Sequence, residues 1–212
     1  MKTTCGLICA VFCLFLAVPQ SKAGSICDAV SGNLVANCGF ETGDFTGWIL
    51  SGNDVPAELG NLYGVEGTDP FDGISPHSGS YQAYIADLVA NSTTLSETLT
   101  TIPGHEYLVS WYLAQDTAIL APYSNAFSVS FGPATLVSLT AVPVEGYTYY
   151  SSPATATSSS TTLSLTLGND LGEFLLDDVT VSAVPEPAAW TLALGGVALA
   201  FILHRIRLAR TV

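Results

Sequence analysis

The sequence predicts an all-β domain, a β-sandwich of the jelly-roll kind, from three observations. Several segments alternate apolar and polar residues with the period of a strand, and residues 24–184 contain no long amphipathic helical pattern. Turn-forming Pro-Gly, Gly-Asn and Ser-Gly steps separate these segments, as is typical of sandwiches and jelly rolls. The alternating apolar positions are Phe127, Val129, Phe131, Leu163, Leu165 and Leu167, followed by Leu175, Val179, Val181 and Ala183.

The N-terminal 23 residues have the composition of a secretory signal peptide. Lys2 gives a short positive start, residues 7–18 are continuously apolar, and Ser21 and Ala23 place small residues before a cleavage site. We therefore predict a signal peptide over residues 1–23 and an exported domain over residues 24–184. An uncleaved N-terminal anchor is the alternative.

The C-terminus combines an apolar segment with a basic tail. Residues 188–203 are apolar all round, and Arg205, Arg207 and Arg210 follow within residues 204–212. Clustered arginines hold their end of a membrane segment in the cytoplasm, so the pattern predicts a single transmembrane helix with the main domain outside. A buried core helix is the alternative.

The middle of the chain is strongly acidic. The 212-residue sequence has a net charge of −13, and its five Lys and Arg residues all stand near the ends, at positions 2, 22, 205, 207 and 210. Binding to a phosphate backbone or to anionic lipid needs clustered basic residues. The composition therefore excludes a nucleic-acid partner and electrostatic attraction of the domain to a membrane surface.

Two cysteines, Cys27 and Cys38, remain after the predicted signal cleavage. An exported chain with two cysteines is expected to form a disulfide, worth about 2–3 kcal/mol for so short a loop. Two free thiols are the alternative.

The last alternating segment, FLLDDVTVSAV, contains two adjacent acids. If the odd-numbered residues face the core, Asp177 is in register with the core and Asp178 points outward. A buried carboxylate needs a partner, and the domain has no Lys or Arg to supply one. Backbone N–H groups or a bound metal ion are the two remaining options.

The end of the chain resembles a PEP-CTERM sorting signal. The resemblance consists of Val184, Pro185, Glu186 and Pro187, then the apolar segment, then the arginines, which together make residues 185–212 the sorting region. It implies recognition by a membrane protease-transpeptidase of the exosortase type and a transient inner-membrane anchor. The implied final location is the outer surface or extracellular matrix of a Gram-negative bacterium, in association with exopolysaccharide or biofilm.

The middle of the chain resembles carbohydrate-binding jelly-roll modules of the galactose-binding-like type. The matching segments are NLVANCGFETGDFTGWILSGN, HSGSYQAYI, LSETLTTIPGHEYLVSWYLA and the closing FLLDDVTVSAV. In such modules a calcium ion ties the first strand to the last. The resemblance implies a structural Ca²⁺ held by the carboxylates of Glu41 and Asp177 and backbone oxygens near Gly39, because oxygen ligands suit a hard cation.

No catalytic constellation stands out, so we predict a protein that is not an enzyme. His77 and His105 are adjacent to turn residues, and neighbouring Asp177 and Asp178 on a strand cannot flank one glycosidic bond. The main functional prediction is a non-catalytic protein of the cell surface or extracellular matrix. The alternative is a carbohydrate-binding module that uses exposed tyrosines, and a polysaccharide hydrolase is a more distant one. The candidate sugar-binding residues are Tyr147 and Tyr149 on one strand face and Tyr150 on the other.

Overall fold

Ten antiparallel strands form two five-stranded sheets in the computed structural model, which describes residues 24–52, 62–70, 73–86, 88–117 and 122–185. The predicted β-sandwich of the jelly-roll kind is thereby confirmed. The predicted signal peptide, residues 186 and 187 of the sorting motif, the apolar segment 188–203 and the basic tail lie outside the described residues. Within the described ranges, no helix has the length and apolar character needed to cross a membrane.

The strands are β1 (Ile49–Ser51), β2 (Tyr63–Glu66), β3 (Gln82–Ile85), β4 (Thr93–Thr100), β5 (Glu106–Gln115), β6 (Asn125–Phe131), β7 (Ala134–Thr140), β8 (Glu145–Thr155), β9 (Ser160–Asn169) and β10 (Phe174–Ala183). The first sheet has the strand order β1-β4-β9-β6-β7, and the second has the order β2-β3-β10-β5-β8. Among the described residues, two short 3₁₀ helices, Ile26–Ala29 and Val89–Asn91, lie beside the strands.

The core lies between the inner faces of the two sheets. The burial alternates along the whole of β6 and along β9 as far as Leu167, as the sequence predicts, because every second side chain of a strand points to the same face. Trp111 of β5 packs against Phe127 of β6, with 5.8 Å between the ring centroids. Burying such large apolar side chains between the sheets is the main favourable contribution to the stability of the fold.

Strand β10 departs from the predicted alternation because it contains a β-bulge between Asp177 and Thr180. Before the bulge the even-numbered Phe174 and Leu176 belong to the core, whereas after it Val179 and Val181 do. The bulge adds one residue and so exchanges the faces of the strand. The predicted odd-numbered core face is therefore confirmed only after the bulge, at Val179 and Val181. Leu175 is fully buried but lies outside the core cluster, and Ala183 is exposed.

The N-terminal segment lies along β10. Leu34 donates its N–H to the carbonyl of Val181, and Cys38 accepts a hydrogen bond from the N–H of Val179. A disulfide joins Cys27 to Cys38, with 6.1 Å between their Cα atoms. The first residues of the domain are thereby held beside its last strand, directly over the bulge.

Candidate functional site

The outward face of the second sheet carries buried acids beside several aromatic side chains. Asp177 lies opposite Tyr112 in the register of β10 and β5, and directly opposite residues of paired strands point to the same face. Because Trp111 faces the core, Tyr112 faces outward, and so does Asp177. The expectation that Asp177 is in register with the core is corrected. It is fully buried, but beneath the loop that contains Ser78 and not between the sheets.

Asp178 is also buried, with only 2% of its surface exposed, so the prediction that it points to solvent is wrong. Its φ of +51° places it in the left-handed region, which Asp tolerates better than most residues, and Asp178 lies within the bulge between Asp177 and Thr180.

Several donors surround the Asp178 carboxylate. Ser25 Oγ donates to Oδ1, Ser78 Oγ lies 2.8 Å from both carboxylate oxygens, and the N–H of Cys27 donates to Oδ1 at 3.3 Å. His77 Nδ1 lies 2.6 Å from Oδ2. The sequence places His77 next to turn residues and predicts no role for it, whereas the structure makes it the partner of a buried acid. Ser25 and His77 are distant from Asp178 in sequence, and no local pattern marks the contact.

The predicted cation ligands Glu41, Gly39 and Asp177 come together beneath the loop of residues 78–81. Asp177 Oδ2 accepts from the N–H of Ser78 at 3.1 Å, and Oδ1 accepts from its own neighbour, the N–H of Asp178, at 2.7 Å. A Cβ on Gly39 would lie 3.4 Å from Asp177 Oδ1, so the backbone approaches this carboxylate closely.

Glu41 Oε1 accepts hydrogen bonds from two backbone N–H groups of the same loop, that of Ser80 at 2.7 Å and that of Tyr81 at 3.1 Å. Burial is the main cause that raises the pKa of Asp177 to about 8, and the charges of Asp178 and Glu41 add to it. Backbone N–H groups thus donate hydrogen bonds to both carboxylates. The same carboxylate oxygens, close to the backbone of Gly39, are also ligands that suit a hard cation.

An aromatic cluster lies beside these acids. The ring of His77 stacks on Tyr112 with 3.4 Å between centroids, and Tyr112 contacts Tyr149 at 5.2 Å in a tilted arrangement. Tyr149 is 50% exposed. Tyr147 lies on the same strand face, as predicted, and its hydroxyl donates to Gln82 Oε1 at 2.7 Å. Burial above all raises the pKa of Tyr147, so its hydroxyl remains protonated.

Tyr150 takes the opposite face of β8. Its ring stacks on core residue Trp111 with 5.8 Å between centroids and 7° between the planes. The structure therefore places Tyr150 apart from Tyr147 and Tyr149, as predicted, and adds Tyr112, which is not among the predicted sugar-binding residues, to the outward face. The position of Tyr112 directly after a core tryptophan is the signal that could have found it.

A groove of about 290 Å³ opens over this cluster. Tyr112 and Tyr149 form one wall, and Ile26 and Val30 of the N-terminal segment form another. The groove is also lined by Asp178 and by the hydroxyls of Ser110 and Thr180, which lie 2.7 Å apart. We call these lining residues the tyrosine groove. Apolar rings beside a few fixed polar groups are the usual lining of a small-molecule site.

Comparisons with known proteins support the fold. No protein-family model and no curated protein matches the chain. Among solved structures, TmCBM61 in complex with beta-1,4-galactotriose is similar at a TM-score of 0.51 and 21% sequence identity, over 73% of this chain and 100% of that one. The enzymatically active domain of tailspike protein 4 of bacteriophage CBA120 is similar at a TM-score of 0.50 and 13% identity. It is matched over 72% of this chain but only 21% of its own length. At these identities the likeness shows a shared fold.

Proposed function

We propose that the protein is an exported, non-catalytic carbohydrate-binding module whose ligand lies in the tyrosine groove. The observation that carries this proposal is the pair Tyr112 and Tyr149, which face outward beside the buried carboxylate of Asp178. Aromatic rings stack on the apolar faces of sugar rings, while carboxylate and hydroxyl oxygens bind sugar hydroxyls. A likeness in fold to a module crystallised with a galactotriose supports the same class of ligand.

Binding of oligosaccharides by isothermal titration tests the proposal, with beta-1,4-galactotriose included in a panel of soluble plant and bacterial oligosaccharides. Replacing Tyr149 by Ala is expected to weaken the binding about tenfold or more, because the exposed ring loses its stacking surface; tenfold corresponds to about 1.4 kcal/mol. Tyr123→Ala is the matched control, since Tyr123 is equally exposed, at 50%, but adjoins β6 of the other sheet.

Two results would contradict the proposal. One is the absence of binding to any member of the panel, which would favour the alternative of a purely structural surface or matrix protein. The other is an equal loss of affinity in the Tyr149 and Tyr123 variants, which would place the ligand outside the groove.

We also propose that the chain is a substrate of an exosortase-type enzyme and is released from the membrane to associate with exopolysaccharide. The sequence pattern supports this, and Val184 and Pro185 are exposed directly after β10, where a processing enzyme could reach them. The exported form is expected to begin near Gly24 and to lack residues 188–212, which intact-mass spectrometry of that form measures. A mass that still includes Arg205, Arg207 and Arg210 would refute the processing step.

A structural calcium ion at Glu41, Gly39 and Asp177 is the third part of the proposal. Its support is the convergence of two carboxylates and a close glycine backbone in a region without Lys or Arg. Calcium bound there would be a positively charged partner for Asp177 and would link the N-terminal segment to β10. The competing explanation for this arrangement is that backbone N–H groups alone stabilise both carboxylates. Measuring the calcium bound by the wild-type protein and by Asp177→Asn distinguishes the two explanations.

A further inference from the structure

A second group of acids, separate from Glu41 and Asp177, lies where β2 ends and β10 begins. Glu66 is the last residue of β2, Asp69 lies in the turn that follows, and Glu173 immediately precedes β10. One carboxylate oxygen from each residue lies within 4.8 Å of the other two. Asp69 is 1% exposed and Glu173 is 7% exposed, so these two acids are shielded from the water that would normally solvate their charges. We call these three residues the carboxylate triad.

The surroundings supply little positive charge to the carboxylate triad. The only Lys and Arg residues of the chain stand at positions 2, 22, 205, 207 and 210, far from it in sequence and outside the described residues. Of the two histidines in the described ranges, His77 already contacts Asp178. The other, His105, precedes the start of β5, whereas Glu173 lies beside the end of that strand, where Phe174 pairs with Gln115. Gln82 Nε2 donates to Glu66 Oε1 at 3.4 Å, which is a weak contact.

One atom of the carboxylate triad points to a missing ligand. Glu173 Oε1 is buried and has no hydrogen-bond partner, and one carboxylate oxygen of Glu173 lies within 4.8 Å of oxygens of Glu66 and Asp69. A buried carboxylate oxygen without a donor is costly, so a native fold is expected to satisfy it with a group from outside the chain. Burial, followed by the charges of Asp69 and Glu66, raises the pKa of Glu173 to about 8. The triad therefore favours capture of either a proton or a metal ion.

We propose that Glu66, Asp69 and Glu173 bind a divalent cation of the calcium type, at a site additional to the one at Asp177. Two oxygens bound to the same calcium ion at about 2.4 Å can be at most about 4.8 Å apart, and the triad meets this limit. Its ligands are all carboxylate oxygens, which a hard cation prefers, and Ca²⁺ tolerates irregular geometry better than Mg²⁺ does. The competing arrangement is a proton held between the carboxyl groups of Asp69 and Glu173, an interaction that would also raise the pKa of Glu173.

The test counts bound calcium by equilibrium dialysis with radioactive Ca²⁺. It uses the full chain in detergent, freed of metal by a chelator, with excess Mg²⁺ present to occupy non-specific surface charges. The wild-type protein is expected to bind two equivalents. Glu173→Gln is expected to lose one equivalent and Asp177→Asn the other. Glu145→Gln, which removes the same charge from an exposed position on β8, is expected to retain both.

The outcomes separate the two sites. Loss of one equivalent in Glu173→Gln supports the triad site, even if Asp177→Asn has no effect and the structural calcium proposal fails. Unchanged calcium binding in Glu173→Gln, or no calcium binding by the wild-type protein, overturns the triad site and leaves the shared proton. If Glu173→Gln does not fold, as judged by circular dichroism, calcium binding is measured for Glu66→Gln, since Glu66 is only half-buried. Loss of one equivalent in that variant supports the triad site, and unchanged binding overturns it.

Discussion

Replacing Asp178 by Ala is expected to destabilise the domain by about 3–5 kcal/mol, because several donors lose their shared acceptor and each buried donor left unpaired costs about 1–3 kcal/mol. The carboxylate is 2% exposed and accepts hydrogen bonds from Ser25, Ser78 and the backbone of Cys27, besides its contact with His77. These donors, of which Ser25 and Cys27 are buried and Ser78 and His77 half-buried, would lose their acceptor. Alanine at a φ of +51° adds a further cost, because its Cβ is strained in the left-handed region.

Urea unfolding followed by tryptophan fluorescence measures this loss. Asp178→Asn is the matched control, since asparagine tolerates the left-handed backbone and keeps one acceptor oxygen while it removes the charge. Its cost is therefore expected to be clearly smaller than that of Asp178→Ala. If Asp178→Ala unfolds within about 1 kcal/mol of the wild-type protein, the buried network around this residue contributes far less than its contacts indicate.

Removing the disulfide by the double change Cys27→Ser and Cys38→Ser is expected to cost about 2–3 kcal/mol. A crosslink over a sequence separation of 11 residues restricts the unfolded chain, and this restriction is lost with the bond. The effect is expected to be largest near the N-terminus, because the disulfide holds the segment that covers Asp178. Hydrogen exchange is therefore expected to increase for residues 26–38 more than for the strands of the first sheet.

Thermal unfolding with and without reductant provides the control. The reduced wild-type protein and the double Ser variant are expected to unfold at similar temperatures, and the variant is expected to be insensitive to reductant. A wild-type protein that does not respond to reductant, combined with an unchanged stability of the variant, would show that the N-terminal segment is held by its hydrogen bonds to β10 alone.

Much of the fold could be predicted because its signals are local. Phe127, Val129 and Phe131 alternate with polar residues, and a regular strand translates that period directly into a buried and an exposed face. The same reasoning placed Tyr147 and Tyr149 on one face and Tyr150 on the other, as the structure has them. The predicted cation residues Glu41 and Asp177 are also near each other, although whether they hold a metal ion stays a prediction.

The sequence by itself determined the class of fold, the inward faces of the regular strands and the lack of Lys and Arg in residues 24–184, because periodicity and composition are properties of the chain alone. Only the tertiary structure decided which acids are buried. A bulge in β10 exchanged the faces of the strand after Asp177, and no alternation pattern records one extra residue. Pairing His77 with Asp178, and gathering Glu66, Asp69 and Glu173, likewise required strands distant in sequence to become neighbours. Such contacts depend on sheet order, which the packing of the whole domain selects.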